Sequence, residues 1–230
     1  MIFELCTDSF EGAIMAQKYG AKRIELCSAL SVGGLTPSPS LTALCATIQE
    51  IEVHVMIRPK EGSFVYSSSD LEMMLNDIQL HAKAGARGVV FGCLTEGNQL
   101  EIQQNITLVE EARKLNLECT FHRAFDFVDS PMNTLESLIN IGFQRVLTSG
   151  GMPIAIDGIG LLKDLVKRAD QEIEIMAGSG VNASNALELQ NAGVHALHFT
   201  SHHSKPYEHD MGTSNSPNPT KINSIVSLFQ

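Results

Sequence analysis

Two kinds of hydrophobic spacing alternate along this chain. Short apolar runs mark strands, and longer stretches with apolar residues every three or four positions mark amphipathic helices. Four junctions of one form organise the alternation: GAKRIEL from Gly20, GARGVVF from Gly85, GFQRVLT from Gly142 and GVHALHF from Gly193. In each, a helical stretch stops at glycine, which takes a left-handed C-cap conformation at little cost. An apolar strand residue then follows four positions on: Ile24, Val89, Val146 and Leu197. Four more strand candidates lie between the junctions, Ile2–Cys6, Val53–Ile57, Glu118–Phe121 and Glu174–Ala177, giving eight in all. The predicted helices are Ser9–Tyr19, Ser40–Ile48, Asp70–Ala84, Leu100–Leu115, Pro131–Ile141, Ile156–Ala169, Asn185–Ala192 and Thr220–Phe229. Asp8/Ser9 and Ser69/Asp70 supply capping signals for two of them.

Strict strand–helix alternation demands parallel strands, and eight units close into a (β/α)8 TIM-type barrel, an α/β fold. A doubly wound open sheet competes, but it would place a glycine-rich turn after the first strand, where this chain has CTDSFEG. No linker divides the sequence, so residues 1–230 are expected to form a single barrel domain. A long polar loop is expected at residues 200–219, after the eighth strand.

Composition narrows the function classes. The net charge is −10, and no cluster of Lys or Arg stands out, which argues against a nucleic-acid surface. No stretch reaches the ~20 apolar residues of a membrane span, and MIFELCTDSF does not read as a signal peptide, so a cytoplasmic location is expected. Five scattered cysteines in a reducing compartment read as core residues, metal ligands or nucleophiles rather than disulfide partners. A homo-oligomer is left open.

In such a barrel the active face is built at the C-terminal ends of the strands. There the chain offers Cys6, Thr7 and Asp8; Cys27 and Ser28; Met56, Arg58 and Pro59; His122, Arg123 and Asp126 in FHRAFD; then TSGG, AGSG and TSHH. Strand alternation puts Glu4 with Cys6, Glu25 with Cys27, and His54 with Met56 and Arg58. Buried carboxylates need partners, and Arg58, Arg123, His54 and His122 are the ones expected for Glu4 and Glu25. An acid–base enzyme would use His122, Glu25, Asp126 and Glu4 as its catalytic groups. Arg58 and Arg123, with Ser149, Gly150, Gly178 and Gly180 of the glycine turns, would then grip a small anionic or phosphorylated substrate. His122 would titrate near neutral pH. A Schiff-base aldolase finds no lysine on the sixth strand, and Lys60 is the only one close after a strand end.

ELC occurs twice, at residues 4–6 and 25–27, so Cys6 and Cys27 end adjacent strands. Two thiolates can hold a soft ion such as Cu(I), and Met56 could add a thioether. Zinc would want four ligands, which no C-x2-C or H-x3-H spacing supplies. Cys45, Cys93 and Cys119 read as core.

The blocks ELCTDSFEGAIMAQKYGAKRIELCSALSVGGLTPS, VHVMIRP, FHRAFD and RVLTSGG resemble the CutC family, named for copper homeostasis, from residue 2 to about residue 200. The resemblance implies a (β/α)8-type barrel and Cu(I) binding by two cysteines, which fall on Cys6 and Cys27. The expected ligands are thus a metal ion, copper as Cu(I), or a small anion. The chain departs from the family pattern after the eighth strand, where TSHHSKPYEHDMGTSNSPNP carries His202, His203 and His209 as further candidate ligands in a polar loop.

Overall fold

The computed structural model describes residues 1–206 and 213–230, so His209 lies outside the described residues. In order along the chain are β1 (Ile2–Thr7), α1 (Phe10–Lys18), β2 (Arg23–Leu26), α2 (Pro39–Cys45), β3 (Glu52–Met56), α3 (Ser68–Lys83), β4 (Gly88–Phe91) and α4 (Ile102–Lys114). There follow β5 (Glu118–Phe121), α5 (Pro131–Ile141), β6 (Arg145–Thr148), α6 (Ile159–Ala169), β7 (Glu174–Gly178), α7 (Ala186–Asn191) and β8 (Ala196–Thr200). Strands β1 to β8 form a closed parallel barrel in sequence order, β8 pairing back onto β1. Past the barrel come β9 (His202–Pro206), β10 (Thr213–Pro217) and α8 (Pro219–Val226). Where the sequence suggests an irregular polar loop, β9 and β10 pair with each other antiparallel.

The four junction glycines have φ of 87°, 95°, 101° and 91° at Gly20, Gly85, Gly142 and Gly193, the left-handed stop that lets each chain turn straight back into the barrel. Ser9 caps α1, accepting from the Gly12 N–H at 3.1 Å. Helix α3 starts two residues earlier than its sequence signal: Ser67 is the cap, and Asp70 closes the capping box instead of opening the helix.

Between strands and helices lies an ordinary apolar layer. Leu5, Ile24, Val55, Val89, Phe91, Phe121, Val146 and Leu197 meet Ala16, Met74, Ile78, Leu108, Leu138 and Leu165 in one cluster, which also takes in Cys45, Cys93 and Cys119. Inside the barrel the filling differs. Two small apolar groups, Cys6–Cys27–Met56–Val90 and Leu147–Met176–Ala196, sit beside a set of buried charges. Arg23 donates through Nε to Glu4 and through Nη2 to Glu174 at 2.6 Å. Arg145 lies 3.4 Å from the same Glu174 and bonds Glu118. Burial acts to raise the Glu4 pKa, but Arg23 and then His198 overcome it and hold the carboxyl well below the usual range.

A buried ion pair broken from one side leaves a bare charge, at a cost of about 3–5 kcal/mol. Arg23→Met is therefore expected to lower the unfolding free energy by about that amount in urea melts. Adding Glu4→Gln to Arg23→Met should recover a substantial part. A double variant no more stable than Arg23→Met would show that the stranded Glu4 charge is not the source of the loss.

Candidate functional site

At the C-terminal mouth of the barrel is a cavity of about 660 Å³ whose walls include Cys6, Glu25, Met56, Arg58, His122 and His198. The cysteines arrive by strand register. Glu25 is the partner of Cys6 across β1 and β2, and the ladder continues as the Cys27 N–H donates to the Thr7 carbonyl at 2.9 Å. The two sulfurs come to rest 4.0 Å apart. Gly34, at φ 90°, lies directly over them. A Cβ there would sit 3.0 Å from Cys27 Sγ, so only glycine lets the loop cover the thiol at this distance.

Three titratable groups surround the sulfurs. Cys27 Sγ is 3.5 Å from Glu25 Oε2. His198 places Nδ1 2.7 Å from Glu4 Oε1 and Nε2 3.7 Å from Glu25 Oε2. Gly178 makes room for it, since a Cβ there would lie 2.5 Å from Leu147 and 3.3 Å from the His198 ring. The hydrogen bond from Cys27 lowers the Cys6 pKa to about 5 against its burial, with His198 assisting. Cys27, as the donor to Cys6, is pushed well up. Burial pushes Glu25 up as well, and the neighbouring Cys6 adds to it. Burial opposes a charge on His198, but Glu25, Cys6 and Glu4 surround it and hold its pKa well above the usual value. The lower pKa of the pair thus falls on Cys6 and the higher on Cys27, with His198 alongside.

Among the described residues, two overlapping groups bring metal-ligating atoms within 4.8 Å of one another here: Cys6, Glu25 and Cys27, and Glu4, Glu25 and His198. A third group, Glu52, His54 and Glu118, includes residues at the N-terminal ends of β3 and β5. His202 lines the cavity and His203 is exposed, and neither belongs to these groups.

The remaining predicted residues divide. Arg58 and His122 line the cavity. Arg123 lines it too, but its Nε is paired with Asp126 at 2.7 Å and its Nη2 donates to Ser149 at 3.1 Å. Asp126 accepts from Thr148 Oγ1 at 2.5 Å, from Ser149 N and Oγ at 2.9 Å each, and from Gly151 N at 3.2 Å. The Gly150 N–H goes to Thr148 Oγ1 at 2.9 Å. The TSGG turn is thus closed on Asp126 and Thr148, so these N–H groups already have acceptors. Gly180 lies on the cavity wall, and Gly178 serves His198.

The partners expected for Glu4 and Glu25 need correcting. Arg23 and His198 hold them, and of the four groups expected only His54 contributes, by helping to lower Glu4. His122 also differs from expectation. Burial and the Arg58 charge take its pKa down to about 3, so it is neutral at physiological pH. Lys60 pairs with Asp70 at 2.5 Å, outside the cavity walls. The sequence signals left unread are His198, which alternation puts on one face with Ala196 and Thr200, and Lys221 of α8, which lines the cavity.

A closed parallel (β/α)8 barrel with a cysteine pair and buried acids at its mouth is the class of protein that fold and site define. The model of the CutC family matches residues 1–203, and the chain belongs to that family. A CutC protein of Pasteurella multocida is 45% identical over 201 residues, 87% of this chain and 82% of the relative. The human copper homeostasis protein cutC homolog is 43% identical over 198 residues, 86% of this chain and 72% of its own length. A crystal structure assigned to the copper homeostasis protein CutC of Streptococcus agalactiae superposes with a TM-score of 0.81 at 32% identity, covering 86% of this chain and 97% of that one. Among the described residues no helix is long and apolar enough to cross a membrane.

The depressed His122 pKa has a definite pH signature. The unfolded chain binds a proton at about 6.5, and the folded one only near 3. The histidine's contribution to stability is therefore complete above about pH 6.5 and is lost as pH falls toward 3. NMR of labelled imidazole should show no His122 titration between pH 5 and 8. A midpoint near 6.5 would overturn the assignment of a neutral ring.

Proposed function

We propose that this chain binds Cu(I) between Cys6 and Cys27 and acts in copper homeostasis. The observation that carries the reading is the 4.0 Å separation of two buried sulfurs on adjoining strands. That is less than twice a metal–sulfur bond of about 2.3 Å, so both can hold one ion in a bent arrangement with room for a third donor. Glu25 stands in reach of both sulfurs. Thiolate is the soft ligand that selects Cu(I) over harder ions, and Met56, Val90 and Leu30 pack against the pair. Family membership and the name of the human copper homeostasis relative point the same way. The acid–base enzyme reading gains little from His122, which is neutral, or from Asp126, which is occupied with the TSGG turn.

Titration of the reduced protein with Cu(I) against a chromogenic Cu(I) chelator should give one tight equivalent. Cys6→Ser with Cys27→Ser should weaken it at least 100-fold, and Cys45→Ala should not. Because Cys6 already ionises at about 5 while Cys27 keeps its proton, loading at pH 7 should release about one proton per ion, measurable in weak buffer. Unchanged affinity in the double serine variant would overturn the reading.

A further inference from the structure

The cavity is far larger than a metal ion requires. Its volume of about 660 Å³ falls in the ~300–1,000 Å³ range of small-molecule sites. Cys6 and Glu25 form part of its wall, and the segments that follow β3 and β5 supply another part, with Arg58, Phe64, His122 and Phe127.

Arg58 is only 5% exposed. Its Nη1 donates to the carbonyls of Val32 at 2.9 Å and Gly34 at 3.1 Å, and its Nη2 to Gly62 at 2.9 Å. Its guanidinium lies 5.2 Å from the Phe64 ring centroid. These partners satisfy donors and carry no net charge. Arg23, Arg123, Arg145 and Arg168 each sit on a carboxylate, whereas among the described residues Arg58 forms no ion pair. A buried cation without a counter-ion is costly, and an anion delivered from solvent relieves that cost.

His122 adds a donor. Its Nδ1 accepts the Ala124 N–H at 3.3 Å, which puts the ring proton of the neutral form on Nε2. That Nε2 is buried and has no hydrogen-bond partner among the described residues. Its ring packs against Phe64 at 4.7 Å between centroids. Lys221, on the helix that follows the barrel, brings a further cation to the cavity wall. Against these stand Arg123, already neutralised by Asp126, and Glu25 on the sulfur side, facing His198. Val32, Phe64 and Phe127 give the surroundings of Arg58 and His122 an apolar surface, and Phe127 is 57% exposed.

We propose that this cavity binds a small organic acid, its carboxylate or phosphate oxygens toward Arg58 and His122, its apolar body against Phe64 and Phe127, and the charge of Lys221 on the wall adding to the attraction. Arg58 is already fixed by three carbonyls, so little ordering is lost on binding. The proposal does not rest on the copper reading, and the two can fail separately.

The test uses the reduced, metal-free full chain with four probes: benzoate, phenyl phosphate, benzyl alcohol and inorganic phosphate. Saturable binding of benzoate or phenyl phosphate is expected, read as a rise in Tm and as a shift of the His122 Nε2–H resonance. Which of the two binds more tightly tells carboxylate from phosphate recognition. Benzyl alcohol and inorganic phosphate should each bind at least about tenfold more weakly, the first lacking charge and the second an apolar body. Because Arg58 also ties the loop after β2 to its own, its removal alone would be ambiguous. Lys221→Met and Phe64→Ala, which leave those ties in place, should each weaken the preferred acid at least threefold. Cys45→Ala, in α2 and outside the cavity walls, should leave it unchanged. Failure of both acids to bind, equal binding by benzyl alcohol, or wild-type affinity in both Lys221→Met and Phe64→Ala would overturn the proposal.

Discussion

The ion pair between Glu4 and Arg23 inside the barrel sets the conditions for everything above it. A barrel of this kind is usually filled by layers of branched aliphatic side chains. Here Glu4 and Arg23 are almost wholly buried, and each is tolerable only because of the other. The dependence runs on around the barrel. Arg23 also holds Glu174, Glu174 faces Arg145, and Arg145 holds Glu118, linking β1, β2, β7, β6 and β5 through side chains in addition to the backbone ladder. Glu4 is thereby a fixed negative charge under the mouth, and the second oxygen of its carboxylate takes Nδ1 of His198.

From that point the local electrostatics follow. An imidazolium held by Glu4 beside Cys6, with Cys27 donating to the same sulfur, keeps Cys6 ionised. Cys45 and Cys119, buried without such neighbours, are pushed the other way, to about 11 and about 12. Burial alone thus does not make a reactive or ligating cysteine. What singles out Cys6 is the hydrogen bond from Cys27, with His198, itself held by Glu4, assisting.

The repeat of glycine junctions made the architecture readable, because each glycine reports a left-handed backbone stop that few other residues can supply. The cysteine pair was readable from alternation plus the adjacency of the first two strands. Arg23 and Arg145 were not. Each stands at the first position of a strand, where a charged residue ordinarily faces solvent, and only the barrel's closure turns that position inward. His198 escaped because Leu197 and Phe199 on either side dominate the pattern. The TSGG turn misled for a different reason: its N–H groups look free in sequence, but Asp126 and Thr148 already satisfy them. Spacing gives which face a residue occupies. It does not give which partner has already taken its hydrogen bonds.

The two sides of the mouth differ in a way that bears on how they would work together. On the proposed copper reading, two thiolates and one Cu(I) sum to a single negative charge, and the imidazolium of His198 beside Cys6 offsets it. The sulfur side is then balanced within itself and makes no demand on Arg58. Arg58 is held by the carbonyls of Val32, Gly34 and Gly62, and those same loops carry Gly34 over the cysteines. An acid drawn to Arg58 would therefore act on the segment that covers the sulfurs without competing for the charge that holds the ion. The structural connection between the two sites is this loop, and the charge on each can be satisfied independently.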